Sequence, residues 1–441
     1  MNQDAIRNGF AGPVHLPGDP GYDTHRQPLY PTIDPRPAAV VEASGPADVR
    51  AAVVAARRHD LPLAVQATGH GTHVAADGAL LLKTSGMASV LVDPDRGVAR
   101  VGPGARWGAV LEAAAPFGLA PLSGSSPSVG VTGYTLGGGL GWLARRYGFA
   151  ADSVLRADVV TADGRLRTVS ADRDPELFWA LRGGGGNFGI VTSLEFRLYP
   201  VDRVLAGFAY FPADRAAETL AWYRDWAATA PDELSTAALL RRMPDTDDVP
   251  AAVRGKRVVM IKAMYAGDPD RGRCLLNPLW SVAGPALVDE LRPVRYADAA
   301  MGGTPARYLD MFRALPDAAL EALAGAHAAP DSPISTVEIR QWGGAMANAG
   351  PDAGPAGHRE ARFSVIVDAV VPELASALRP HGMGATFLNV LADPTRTATA
   401  YTAENHRRLR EAKAAYDPEN VFRAGHNIRP SSVIRASLKS S

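Results

Sequence analysis

Seven of the eighteen residues from 124 to 141 are glycine, in the run Gly-Ser-Ser-Pro-Ser-Val-Gly-Val-Thr-Gly-Tyr-Thr-Leu-Gly-Gly-Gly-Leu-Gly, and none is charged. Glycine costs about 1 kcal/mol per helical position relative to alanine, so propensity alone will not hold such a stretch in regular structure. It is favoured where a backbone turns sharply or approaches another group closely. Val129, Val131, Tyr134, Leu136, Leu140 and Trp142 are wrong for a solvated linker. The stretch reads as main chain laid against a large, flat or anionic ligand.

Composition excludes several partners. Acidic and basic residues balance at 46 each, so no net field draws nucleic acid or an anionic membrane. No apolar run approaches the ~20 residues that span a bilayer. Met1-Asn2-Gln3-Asp4 lacks the basic-then-apolar layout of a secretory signal. The lone cysteine, Cys274, rules out an internal disulfide framework and a cysteine-rich metal site. It fits a reducing compartment, and a cytoplasmic protein is expected. At 441 residues the chain suits two or three domains.

Residues 11–36, rich in Pro, Gly and Asp, read as an irregular arm. Strands are expected at 38–43, 63–66 and 79–83 with a helix from about 48 to 59, a strand–helix–strand unit. A strand at 98–101 and a helix at 107–115 follow, then a hairpin of 154–161 with 166–170 around Ala162-Asp163-Gly164. Asp174-Pro175 opens a short helix, Asp as N-cap and Pro at the first helical position. A strand over 190–198 comes next. Beyond 204, strands at 204–211, 258–266, 335–341, 362–371 and 385–390 alternate with helices at 213–228 and 305–325. This order predicts an antiparallel α+β region with a boundary near residue 200. A charged helix covers 402–415.

Gly184-x-Gly186-x-x-Gly189 matches the dinucleotide fingerprint by letter, but it follows a helix and opens a strand. That is the reverse of the Rossmann context. Neither a P-loop nor a nucleophile elbow is present. His70 and His73 lie in a loop without further ligands, so no metal is expected. Cys274, beside Leu275-Leu276, reads as a packed small hydrophobe.

An ordered series of segments goes further. It comprises Pro37-Ala38-Ala39-Val40-Val41, Gly69-His70, Pro127-Ser128-Val129-Gly130-Val131 and Leu136-Gly137-Gly138-Gly139-Leu140-Gly141. Then come Val160-Thr161-Ala162-Asp163-Gly164 and Asp174-Pro175-Glu176-Leu177-Phe178-Trp179-Ala180-Leu181-Arg182-Gly183-Gly184-Gly185-Gly186-Asn187-Phe188-Gly189. Tyr416-Asp417-Pro418-Glu419-Asn420-Val421-Phe422 and His426-Asn427-Ile428 close it. In these the chain resembles the FAD-linked oxidases of the vanillyl-alcohol-oxidase and p-cresol-methylhydroxylase type, in the berberine-bridge-enzyme-like branch.

The resemblance implies an α+β protein. A two-part FAD-binding domain of the p-cresol-methylhydroxylase type would span 1–200 and return over 401–441. An α+β substrate domain with an antiparallel sheet would be inserted over 201–400. His70 matches the histidine bonded to the flavin 8α-methyl, with His73 as the minor alternative in the same loop. The match implies FAD contacts from Gln66, Ala67, Thr68, Gly69, Gly71, Ser126, Ser128, Val129, Gly130, Gly133, Tyr134, Gly137, Gly138, Gly189, Ile190, Val191 and Asn427. Many relatives carry Arg at the position of Gln66 and Gly at those of Ala67 and Thr68. Here the pyrophosphate would therefore meet backbone N–H groups and Thr68. Doubly tethered members carry cysteine where this chain has Ser126, so a single covalent link is expected.

Gly124 matches the position of an oxygen gate, and its small size favours an oxidase. The implied chemistry is hydride transfer from a C–H of an alcohol, sugar or secondary-metabolic intermediate, followed by reoxidation by O2 to hydrogen peroxide. Tyr401 is the first candidate for the base, followed by Glu338 and Tyr210. Two other readings stay open: a flavin-bound cyclase or isomerase with no net oxidation, and a drug-sequestering resistance protein.

Overall fold

The continuous apolar run around residue 40, typical of a parallel strand covered on both faces, builds into the first of three main sheets. In the computed structural model, which describes residues 6, 7, 9–29 and 33–432, its strands lie in the order Val14–His15, Ala39–Glu42, Leu80–Lys83, Leu63–Gln66. The last three are parallel. Helix Pro46–Arg58 makes the crossover and buries Val49, Ala52, Val53 and Ala56. The second sheet is antiparallel throughout, in the order Val90–Asp93, Val98–Val101, Ile190–Arg197, Val154–Val160, Leu166–Ser170.

The third sheet has eight antiparallel strands. Its main path runs Val288–Asp289, Arg203–Pro212, Arg257–Tyr265, Leu234–Arg242, Thr336–Gln341, Phe363–Val367, Tyr308–Phe312, and Arg292–Arg295 also pairs with Arg203–Pro212. Strand alternation gives the sheet two faces. One carries Ala238, Leu240, Val259 and Ile261 beneath helices Ala216–Ala227, Pro269–Ala283, Asp317–Ala328 and Pro372–Leu378. The other carries Ala237, Leu239, Met260 and Met264 and packs on Leu122, Trp142 and Leu143 from the first half of the chain. Among the described residues no helix is long and apolar enough to cross a membrane.

The chain then returns. Leu388, Leu391, Tyr401, Leu409 and Ile428 share one core with Trp107, Phe178, Leu181 and Phe196. At the end of helix Ala403–Tyr416, Lys413 and Asp417 are fully buried together, Nζ to Oδ2 at 2.6 Å. Lys413 also donates to Asn187 O and Phe422 O, while Asp417 accepts from the N–H groups of Val421 and Phe422. All three ammonium protons are used and both carboxylate oxygens accept hydrogen bonds, which is the condition for tolerating a buried pair. Lys413→Met should therefore destabilise the fold by about 3–5 kcal/mol, because Asp417 is left charged and unmatched; denaturant titration measures it.

Several expectations are corrected. Residues 305–325 do not form one helix: Tyr308–Phe312 pairs with Phe363–Val367, and the helix is Asp317–Ala328. Pro316 separates them, restricting Leu315 to extended backbone. The strand expected at 385–390 is instead a tight turn, Leu388–Val390. Asp174 does not cap its helix with its side chain; its backbone is left-handed at φ 50°, and its carboxylate faces Arg167 at 3.7 Å. Cys274 is exposed rather than packed. The strand Leu234–Arg242 and the helix Pro269–Ala283 had no expectation. The helix carries Pro278 in its interior, which masks its pattern.

His327, buried under the large sheet, has its imidazole pushed down to about 4 by desolvation and then by Arg257. The unfolded chain takes up this proton near the ordinary value of 6.5. The contribution to stability is thus complete above pH 6.5 and is lost as pH falls towards 4. Melting temperature should drop over that window, and His327→Asn should flatten the drop.

Candidate functional site

The loop after strand Leu63–Gln66 is anchored from both sides. Lys83 Nζ donates to Gln66 Oε1 at 2.6 Å, and Leu29 N–H donates to Gly69 O at 3.3 Å. Gly69 has φ +72°, and a Cβ there would sit 2.8 Å from Gln66 Nε2 and from Leu29 N, so only glycine fits. Thr72 Oγ1 donates to Gly69 O, and His70 N–H donates to Thr68 Oγ1 at 3.4 Å. Burial holds the imidazoles of His70 and His73 below their ordinary value, and for His73 the charge of Arg307 adds to it. Both shifts favour the neutral form of the ring.

The glycine-rich stretch meets this loop. A Cβ on Gly130 would lie 3.3 Å from Thr68 Cγ2 and Oγ1. Val129 O and Val131 N–H bond to Trp107 N–H and Ala105 O, which zips the stretch to the segment before helix Trp107–Ala114. Ser126 Oγ and Ser128 Oγ are 2.9 Å apart. Despite its composition the stretch contains a short helix, Val131–Leu136. Tertiary contacts override its poor propensity.

Its other glycines serve close packing. Gly124, Gly139 and Gly141 surround the ring of Tyr134: a Cβ on Gly124 would come 2.9 Å from Cε2, and one on Gly139 2.6 Å from Cε1. Gly137 and Gly138 lie under Asn389 and Phe387 of the returning segment. Asn389 donates to Tyr134 O and accepts from Gly139 N–H, both at 2.9 Å. Gly189, at φ +152°, lets the backbone pass Val159 and Val160, which pair with Val191 and Ile190.

The residues fit an FAD. The buried Tyr134, Thr132 and Thr135 hydroxyls and Asn427 Oδ1 have no hydrogen-bond partner among the described residues. Space is open above Gly71 and Gly133. Unmet buried polar atoms cost about 1–3 kcal/mol each, so a ligand that reaches them is favoured.

The large sheet supplies the charged groups. Tyr210, Lys262, Glu338 and Arg340 all lie on the face turned towards the glycine-rich stretch, as register and alternation require. Arg340 Nη2 donates to Gly141 O at 2.7 Å, and its guanidinium stacks on Trp142. Glu338 Oε2 accepts from Thr304 Oγ1 at 2.6 Å and lies 3.6 Å from Lys262 Nζ. Both members of that pair are buried, and burial lowers the pKa of Lys262 against the opposing pull of Glu338. Sequence reasoning missed Lys262. Its signal was a single lysine in the otherwise apolar strand Val-Val-Met-Ile-Lys-Ala-Met-Tyr.

Tyr401 stands elsewhere. Its hydroxyl donates to Gly183 O at 3.1 Å within the returning core, and burial raises its pKa well above the ordinary value. A committed donor that resists ionisation is poorly suited to act as a base. A hollow of about 430 Å³ beside Leu91, Arg100 and Leu166 contains none of these groups.

Residues 37–170 match the family model described as FAD binding domain, and residues 386–429 match that described as berberine and berberine like. The chain is 30% identical to (R)-6-hydroxynicotine oxidase of Paenarthrobacter nicotinovorans over 95% of its length and 97% of the relative's. Its structure resembles that of 6-hydroxy-D-nicotine oxidase from Arthrobacter nicotinovorans, with TM-score 0.82, 28% identity and coverage of 96% and 98% of the two chains. Glucooligosaccharide oxidase from Acremonium strictum, which carries a 6-S-cysteinyl, 8α-N1-histidyl FAD, shares the fold at TM-score 0.81 and 23% identity, over 95% and 97% of the chains.

Proposed function

The chain belongs to the FAD-linked oxidoreductases of the berberine-bridge-enzyme-like branch, and from that membership we propose that it is an oxidase taking hydride from a substrate C–H bond and passing electrons to O2. The observation that carries this reading is the docking of strand Thr336–Gln341 on the glycine-rich stretch through Arg340 and Gly141. It sets the buried Glu338–Lys262 pair on the face turned to that stretch. FAD, when bound, supplies the two-electron acceptor.

The chain's own residues would do the rest. Glu338 accepts the O–H or N–H proton of the substrate on its carboxylate, with Thr304 Oγ1 fixing Oε2 and Lys262 balancing the charge. Burial lowers the pKa of Lys262, and the Glu338 carboxylate opposes that shift. His70 offers a neutral ring nitrogen for a single covalent link, and Ser126 has no thiol for a second. The 66–71 loop and residues 126–138 line the cofactor, with Asn427 and the turn at Gly189 beside them. Tyr134 offers its unpartnered hydroxyl. Gly124 is assigned the oxygen gate by its match to the family position alone; a Cβ there would meet the Tyr134 ring. Among the described residues, the cofactor half would comprise those up to 200 and from 401 on, and the substrate half 201–400, with Leu388 and Leu391 of the latter packed in the cofactor-side core.

The relatives' names refer to 6-hydroxynicotine and to oligosaccharides. Alcohols, sugars and natural-product intermediates are therefore the substrates to try, with amines of the hydroxynicotine kind beside them. Each is mixed with enzyme in the absence of oxygen. A substrate should bleach the flavin absorbance, and air should restore it with release of hydrogen peroxide. Product formed without bleaching or oxygen uptake would replace this reading with the redox-neutral one.

A further inference from the structure

We propose that His15, His25 and Glu42 form a zinc-class cation site, in a chain whose motifs led us to expect no metal. Three segments distant in sequence converge here. His15 lies on the edge strand Val14–His15, held by pairing with Val40 and Val41. Glu42 ends the neighbouring strand, and its N–H bonds to Pro13 O at 2.9 Å. His25 comes from the single turn Tyr22–His25.

Both imidazoles aim at one carboxylate oxygen. His15 Nε2 is 2.8 Å and His25 Nδ1 3.3 Å from Glu42 Oε1. The three ligand atoms all lie within 4.8 Å of one another. The rings are stacked, with centroids 4.2 Å apart and planes 6° from parallel. Tetrahedral zinc with bonds of about 2.0–2.2 Å holds its ligand atoms about 3.4 Å apart, so to admit the ion His15 Nε2 and Glu42 Oε1 must move apart from 2.8 Å and the stacked rings must tilt out of parallel to bring both lone pairs onto it. Two histidines and a glutamate are also the ligand set of open zinc sites, in which water takes the fourth position.

The surroundings support a built site. Gly21 makes room for it: a Cβ there would lie 2.6 Å from His15 Nδ1. The three side chains are 16%, 34% and 30% exposed, open enough for an ion and a water to enter yet held by packing. Asp19 adds negative charge near His15. Lys83, the cation near Glu42, directs its Nζ to Gln66. A bound ion would tie the arm before residue 29 to the first sheet, a structural role.

The test uses flavin-loaded protein without a polyhistidine tag, stripped with chelator and titrated with zinc chloride against a chromogenic competitor. One zinc per chain should bind with micromolar or tighter affinity. His25→Ala and Glu42→Gln should each weaken binding at least ~10-fold. Zinc should raise the melting temperature of the wild type only, and flavin absorbance should be equal in all three proteins. Absence of stoichiometric zinc binding, or equal affinity in the wild type and both variants, overturns the proposal.

Discussion

His70→Ala is expected to leave no flavin on the polypeptide after acid precipitation, whereas the wild-type pellet stays yellow. The reason lies in the state of the ring. Burial favours the neutral imidazole, the form that can bond to the flavin methyl carbon. His73 is shifted the same way, by burial first and then by the charge of Arg307. His73→Ala should nevertheless retain the colour, so the two variants together decide which histidine is the tether. A wild-type flavin that washes out on denaturation would sink the covalent assignment while leaving FAD binding itself intact.

The second large effect is on turnover. Glu338→Gln should lower kcat by about 10²–10⁴, the usual contribution of a positioned base. The substitution is nearly isosteric, and the amide oxygen can still accept from Thr304 Oγ1, so flavin content should be unchanged. Tyr401→Phe is the matched control. It removes one hydrogen bond to Gly183 O, worth about 1 kcal/mol of stability, and should leave the rate of flavin bleaching near that of wild type. If Glu338→Gln bleaches as fast as wild type while Tyr401→Phe does not, the roles are reversed.

Much of the fold was legible because its signals are local. The strands around 40, 64, 81 and 99 and the hairpin after 154 announce themselves by short apolar runs bounded by turn residues and by Ala-Asp-Gly. The strand Tyr308–Phe312 was hidden because Tyr-Leu-Asp-Met-Phe is followed at once by an alanine-rich helical pattern. Only its pairing with Phe363–Val367 distinguishes it from a helix start. The site divides the same way. The 66–73 loop and the glycine-rich stretch are contiguous motifs and could be found from sequence. Glu338, Lys262 and Thr304 are 76 and 34 residues from one another. They meet only through sheet register and a loop, and no spacing rule encodes that meeting. The glycines also had a second purpose that composition concealed. Gly124 and Gly139 are shaped to Tyr134, and Gly141 to Ser123 O, rather than to open space.

Asn389 clamps Tyr134 O and Gly139 N–H across 250 positions of sequence or more, and that bond sets an order of events during synthesis. The glycine-rich stretch leaves the ribosome long before the residue that closes its backbone, and the Lys413–Asp417 anchor emerges later still. The cofactor site is therefore the last part of the molecule to be completed. A chain stopped before residue 389 contains every residue of the 66–73 loop yet lacks the clamp that shapes the stretch beside it. Such a truncated chain should load less flavin than the full-length protein.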